Sequence, residues 1–348
     1  MKKLFSQTWF TILYILILSG LALGLALYDS FDIVLQTISQ VNKLSLLVMA
    51  FWGLLPYLTH GLILKLMASH MMPKYRFIDG FINSLVGGFM SGVTPSSTGG
   101  QFAQSYTFKK QGLNGSHGAG IIWLDFFLYS ITLVVIALLL FFTNFTQFAH
   151  SSITLVFGLG LLINIIIIVL LGLMVFKPEL YRTLMHFIFH ITERWKWVKQ
   201  KEKMIHAWDK ILEHFYEAQT VVTENRSMLW QLFGLNTLKI LFYFSTPLMI
   251  GLLLNLEIHW SMVIELIALA SFVTIANTFV PLPGAAGATE SLFVLTYSTV
   301  LGKASAASIM ILWRFFSFYL ILIIGGILFF KIRHQKAKEN QDEEINYY

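Results

Sequence analysis

The chain has 348 residues, of which 56% are hydrophobic and only 12% charged. That balance excludes a soluble domain, which has no use for so much apolar surface. The formal charge of +6 and the lack of cysteine exclude less: the charge lies mostly in loops and tails, where it orients spans and attracts anionic lipid rather than nucleic acid, whereas disulfides and thiolate metal sites are ruled out.

Several apolar runs exceed the ~20 residues that cross a hydrocarbon core. In chain order they predict six full spans, at about 8–28, 44–66, 117–142, 152–176, 228–254 and 305–331. The first follows Lys2 and Lys3 and resembles a signal peptide. Its apolar run is longer than the 7–15 residues of a signal peptide's core, so it reads as an uncleaved span. The positive-inside rule places Lys2, Lys3, Lys65, Lys74, Arg76, Lys109, Lys110, the segment from Lys177 and the tail KIRHQKAK in the cytoplasm. Both termini are therefore expected there, with Lys303 the one misplaced charge.

Two apolar stretches are broken at their middles by Pro and small residues, one in each half: residues 77–104 and Ile267–Glu290. Irregular backbone within a bilayer is tolerated only where protein or a polar cavity covers it. Interrupted segments at matching positions in two halves point to a transporter site. Superposing Pro95 on Pro281 sets Gly99 and Gly100 against Ala285 and Ala286, and Gln104 against Glu290. By the charge pattern the two enter from opposite faces, as re-entrant hairpins of an inverted repeat. The return limb Gly100–Lys109 is only about 15 Å long at ~1.5 Å per residue, half the hydrocarbon thickness, so the TPSSTGG tip is expected at mid-membrane. The fold class predicted is all-α and polytopic, with six spans and two Pro/Gly-broken hairpins. One membrane domain covers residues 1–333, and a charged, disordered tail covers 334–348.

Residues 178–226 are the one sizeable polar segment. Met204, Trp208, Ile211, Leu212 and Phe215 recur at helical spacing, which predicts an amphipathic helix on the cytoplasmic leaflet. His186 and His190 stand at i, i+4, a spacing that suits a metal. A basic interfacial helix uses histidine without one, so no metal is expected.

Ionisable groups lie within the apolar runs: His60, Asp125, Lys239, Glu265 and Arg314, with Glu290 just after the second break. Each costs ~2.5–3.5 kcal/mol at mid-span and needs a partner or a wet cavity. Glu290 is the expected counter-ion of Arg314, and Lys239 is expected to pair with Asp125 or Glu265. Helices restarting near Gln101 and Gly287 would aim amide groups at the tips, where Ser96, Ser97 and Thr98 add hydroxyls. Such a setting suits a phosphate, including that of a lipid head-group. On that ground Gly100→Val is expected to fill the head-group's space without unfolding the chain. No GxxxxGK[ST] or GxGxxG pattern is present, and no cofactor is expected.

The segments TPSSTGGQFAQSYTFKKQG, PLPGAAGATE and WRFFSF resemble the signature segments of the lysylphosphatidylglycerol synthase transmembrane family, the flippase-like membrane region of MprF-type proteins and their stand-alone relatives. The likeness runs across essentially the whole chain. It implies that Thr94, Pro95, Gly99 and Gly100 belong to a first motif, and Pro283, Gly284, Gly287, Glu290 and Arg314 to a second. Together with Ser96, Ser97, Thr98, Gln101, Gln104, Asp125 and Pro281, these form the candidate substrate-binding set. Three positions depart from many relatives: an acidic residue is common where Gln101 stands, an arginine near Gln104, and an arginine beside Asp125 where this chain has Phe126.

The resemblance implies a bacterial plasma-membrane protein that moves a phospholipid or lipid-linked head-group between leaflets, with anionic or aminoacylated phosphatidylglycerol as the suspected partner. Nucleic acid is not expected, and a homodimer is left open. Two alternatives stand beside this. One is a phosphatidylglycerol lysyltransferase, or the membrane subunit of one, although the soluble aminoacyltransferase domain of MprF-type proteins has no counterpart here and no nucleophile–base pair can be assembled. The other is a structural membrane partner of a lipid enzyme.

Overall fold

The computed structural model describes residues 17, 31–144, 152–177, 179–185, 187, 209, 212, 225–278 and 280–334. Among them the regular structure is helical throughout. In chain order the helices are α1 (Phe31–Ser39), α2 (Lys43–Ala68), α3 (Phe77–Val93), α4 (Gly99–Lys110), α5 (Gly115–Thr143), α6 (Ser152–Phe176), α7 (Arg226–Leu253), α8 (Val263–Asn277), α9 (Ala288–Leu301), α10 (Lys303–Arg314) and α11 (Leu320–His334). A helix satisfies every interior backbone group from its own segment, which is what an apolar solvent demands of a spanning element. The exposed amides at helix starts take side-chain acceptors where the sequence offers them. Asn42 Oδ1 accepts from Ser45 N at 2.7 Å ahead of α2, and Asn225 Oδ1 from Met228 N at 3.0 Å ahead of α7.

Six described segments are long and apolar enough to cross a membrane: Lys43–Ala68, His117–Thr143, Thr154–Met174, Arg226–Leu253, Trp260–Asn277 and Lys303–His334. Five of them are expected spans. The run 8–28 lies, save Ile17, outside the described residues. Trp260–Asn277, read from the sequence as one limb of a hairpin, begins early enough to be a span by length and composition. The amphipathic helix expected within 178–226, with His186 and His190, also falls mostly outside the described residues. Of its apolar face, Leu212 is described, and it is buried among residues of α2, α5 and α7.

Small residues set the helix spacing. A Cβ at Gly61 would stand 2.7 Å from the Phe81 backbone, and one at Gly53 2.7 Å from Phe316 O. These contacts seat α2 directly on α3 and on the turn after α10. Two large apolar clusters follow. One joins α6, α7, α8, α9 and α10; within it Phe157 of α6 stacks on Phe272 of α8 at 4.1 Å, and Phe293 of α9 on Tyr297 at 4.0 Å and on Trp313 of α10 at 4.9 Å between centroids. The other joins α2, α4, α5 and α7 around Ile63, Phe108, Leu128 and Leu232. Leu155, Leu159, Leu162, Ile166 and Val169 are exposed along one stripe of α6, so that helix turns a continuous apolar face to its solvent, as lipid contact requires.

Candidate functional site

The site forms where the two broken stretches meet. In the first, α3 and α4 run antiparallel: Asn83 Nδ2 donates to Gln104 O at 3.2 Å, and Ser91 Oγ to Ser97 O at 3.3 Å. The break between them is a single 3-10 turn, Pro95–Ser97. Thr94 is extended (φ −115, ψ 146), the conformation that a following proline imposes. Its hydroxyl donates to Met90 O at 2.7 Å and accepts from Gly99 N at 2.9 Å, closing α3 and opening α4 with one side chain.

The second break repeats this design. Leu282 is extended (φ −96, ψ 146), and Pro283 opens the 3-10 turn Pro283–Ala285. Gly284 and Gly287 adopt φ +58 and +83, where a side chain is strained. Ser97 (φ +57) and Ala285 (φ +47) accept that strain, on the order of 1–3 kcal/mol each and typical of functional turns. The register therefore corrects the sequence superposition: Pro95 corresponds to Pro283, not Pro281. Pro95 and Pro283 each open a 3-10 turn of three residues, and each follows an extended residue. Counted from the helix starts Gly99 and Ala288, Gln101 and Glu290 both stand third.

The two turns pack against each other. A Cβ on Gly284 would lie 3.2 Å from Gly92 O of α3 and would strike the Phe318 ring. Arg314 fastens this junction from the end of α10. Its Nε lies 2.9 Å from Glu290 Oε1, its Nη2 donates to Gly284 O at 2.6 Å, and its guanidinium carbon stands 3.8 Å from the centre of the Phe318 ring. Glu290 is fully buried and Arg314 is 6% exposed, so the expected pair is present and dry. The other Glu290 oxygen accepts from Gly287 N at 2.7 Å. The amide at the start of α9 is thus already held by a carboxylate of its own helix, just as Gly99 N is held by Thr94. A π-helical turn, Phe315–Tyr319, follows Arg314. Such turns recur at functional sites because they re-aim a helix face.

The predicted residues divide by position. Pro95, Ser97, Thr98 and Pro281 are exposed at the tips; Thr94, Gly99, Gln101, Pro283, Gly284 and Gly287 are half-buried around them; Ser96 lies in the first turn. Gly100 faces inward: a Cβ there would meet Ser91 Oγ and stand 2.9 Å from Gly87 O. Gly100→Val would therefore wedge α3 from α4 rather than fill a head-group space, which corrects that expectation. Gln104 is buried in the same seam, beside Gly87, with its amide nitrogen unpartnered.

Asp125 is not brought to the tips. It pairs through Oδ2 with His60 Nε2 at 2.9 Å, and His60 Nδ1 lies 3.0 Å from Ser84 Oγ. Ser84 precedes Thr94 by ten residues on α3, so this second cluster sits about 15 Å from the first tip at ~1.5 Å per residue. Lys239 forms no ion pair with Asp125 or Glu265 within 4.0 Å, contrary to expectation. Its ammonium rests 4.3 Å from the centre of the Tyr129 ring, a contact that replaces some of its lost hydration. Glu265 lies instead in the first turn of α8, where the helix dipole favours an anion. Sequence reasoning missed Ser84, and it named Phe318 only as the last residue of WRFFSF, without a role. The signal for Phe318 was its i, i+4 spacing from Arg314 on a helix.

Among curated proteins no sequence matches this chain. The family model described as the lysylphosphatidylglycerol synthase TM region matches residues 12–325. That range contains both turns, the Arg314–Glu290 pair and the His60–Asp125 pair, and the chain belongs to the lysylphosphatidylglycerol synthase transmembrane family.

Proposed function

We propose that this protein moves a phospholipid, or a lipid-linked head-group, between the leaflets of a bacterial plasma membrane, with both termini in the cytoplasm. The observation that carries this reading is the junction of two Pro/Gly breaks from opposite halves of the chain, fastened by one buried arginine. The phosphate would meet the exposed Ser97 hydroxyl and, in exchange for its bond to Pro95 O at 3.1 Å, the Thr98 hydroxyl, at the start of α4 beside Gly99 N, which Thr94 holds. A guanidinium has five N–H donors in a rigid fork, and the contacts to Glu290 and Gly284 leave some of them for a phosphate oxygen. Hairpins that enter from opposite faces would rock about this fixed point and expose it to each side in turn. An aminoacylated, cationic lipid would add the membrane potential as a driving force, ~2.3 kcal/mol per charge per 100 mV.

The test is movement of fluorescent nitrobenzoxadiazole-labelled phosphatidylglycerol in phosphatidylcholine vesicles holding the purified chain, read by dithionite quenching. Wild type should expose inner-leaflet label at least ten-fold faster than empty vesicles. Thr98→Val, which removes that exposed hydroxyl and its bond to Pro95 O, should slow it several-fold. Wild-type rates equal to empty vesicles would overturn the reading. Transfer of radiolabelled lysine from lysyl-tRNA to phosphatidylglycerol by the same vesicles would replace it with the transferase alternative.

A further inference from the structure

The His60–Asp125 pair takes no part in the tip site, yet it is built as carefully. It sits where α2, α3, α5 and α7 converge, and each helix contributes polar atoms. From α2 come His60 and Tyr57, from α3 Ser84, from α5 Asp125 and Tyr129, and from α7 Lys239, Asn236 and Tyr243. The carboxylate is buried; its second oxygen, Oδ1, makes no hydrogen bond of good geometry, and the side chain facing it is the Asn236 amide. The Asn236 Oδ1 is likewise buried and unpartnered. Each such atom costs stability, and here two stand side by side next to an ionisable pair.

The hydrogen bonds define a direction. A carboxylate only accepts, so neutral His60 donates from Nε2 to Asp125 and must accept at Nδ1 from the Ser84 hydroxyl. A proton arriving at Nδ1 turns that nitrogen into a donor. The Ser84 hydroxyl must then rotate away and accept, sending its own hydrogen to a backbone carbonyl one turn back on α3. Protonation thus reverses the one hydrogen bond that ties His60 to the hairpin limb, and α3 leads straight to Thr94 and the first turn. The charge arithmetic permits it. With Asp125 and Lys239 both ionised their charges cancel, so uptake leaves the cluster at a net charge of +1, its two cations sharing one carboxylate. The three tyrosines facing the pair are neutral near pH 7, since phenols ionise at about pH 10.

We propose that His60, held between Asp125 and Ser84, is a proton-binding site that couples proton movement to the position of the first hairpin. This deepens the transport reading by naming the proton as its coupling ion, and it rests on that reading for its consequence but not for the site itself.

Two measurements on the full chain separate the two ideas. The first labels all histidines with carbon-13 and follows ring signals from pH 5 to 8.5. One titrating signal should vanish in His60→Gln, and its midpoint should shift by at least half a pH unit in Asp125→Asn and in Ser84→Ala. A His60 signal that does not move across this range would overturn the proton site. So would a midpoint indifferent to both neighbours. The second measures labelled-phosphatidylglycerol movement in the vesicles described above. The wild-type rate should change at least five-fold between pH 5.5 and 8. Ser84→Ala, the mildest substitution and the one that keeps the pair intact, should flatten that profile. A profile unchanged in Ser84→Ala would overturn the coupling. If wild type moves no labelled lipid at any pH the transport reading fails, while the histidine titration still decides whether the proton site exists.

Discussion

Arg314 and Glu290 show how one pair of side chains organises an apolar interior. Glu290 has two tasks at once: one oxygen holds Gly287 N and the other faces Arg314 Nε. Arg314 in turn bonds the Gly284 carbonyl, which the turn's left-handed backbone presents. Either charge left alone in this dry site is destabilising by about 3–5 kcal/mol. Glu290→Ala and Arg314→Ala should therefore each lower the midpoint of thermal unfolding in detergent substantially, and the double variant should be less destabilised than the two shifts added. Additive shifts would show that the residues do not interact. Arg314→Lys should rescue little, because a point charge reproduces neither the fork on Glu290 and Gly284 O nor the stacking on Phe318. The pair itself was legible in the sequence: a glutamate after a break and an arginine in the next apolar run have few other partners. The His60–Ser84 contact was not. The helices that meet there are apolar around most of their circumference, so periodicity gives no rotation to say which faces touch.

At the scale of elements, the paired breaks were legible because Pro and Gly clusters inside apolar runs have no other common meaning than an interrupted helix. Their register was not, since Pro281 and Pro283 are both in place to open a turn and only the backbone angles choose between them. The turn geometry also reassigns Gly100. It is a spacer between α3 and α4, where a Cβ meets Ser91 Oγ and Gly87 O. Gly100→Val should consequently cut the yield of monodisperse folded protein several-fold in size-exclusion chromatography. Thr98→Val, with its exposed side chain, should leave that yield unchanged. Equal, high yields from both would mean that the limbs tolerate separation and that the seam lined by Asn83, Gly87, Gln104 and Gly100 does not hold the hairpin together. Gln101 belongs to the same comparison. It stands third in α4 as Glu290 stands third in α9, but an amide there carries no charge to fix an arginine. The two halves have similar turns with different electrostatics, and the ionic clamp is confined to the second.

For the molecule as a whole, helix length constrains the path of the chain across the bilayer. Helix α9 has 14 residues, about 21 Å at ~1.5 Å per residue, and α4 has 12, about 18 Å. Neither reaches the ~30 Å of a hydrocarbon core. If each returns to the face its hairpin entered from, Lys74 and Lys109 flank one hairpin on one side, and Glu257 and Lys303 flank the other on the opposite side. All four residues are charged and lie at helix ends or in loops, and the absence of native cysteine gives a clean background for labelling. Single cysteines at these four positions, treated with a membrane-impermeant maleimide in intact cells and in inverted vesicles, should therefore label in two pairs. The pair at 257 and 303 should react from outside, and the pair at 74 and 109 from the cytoplasmic side, where the Lys/Arg distribution places it. Reaction of 257 and 303 from opposite faces would mean that Trp260–Asn277 crosses and the chain does not return. The second turn would then stand at a surface, and the packing of the two turns would have to draw the first out of the core with it. The inverted repeat would be lost, although the Arg314–Glu290 clamp would remain.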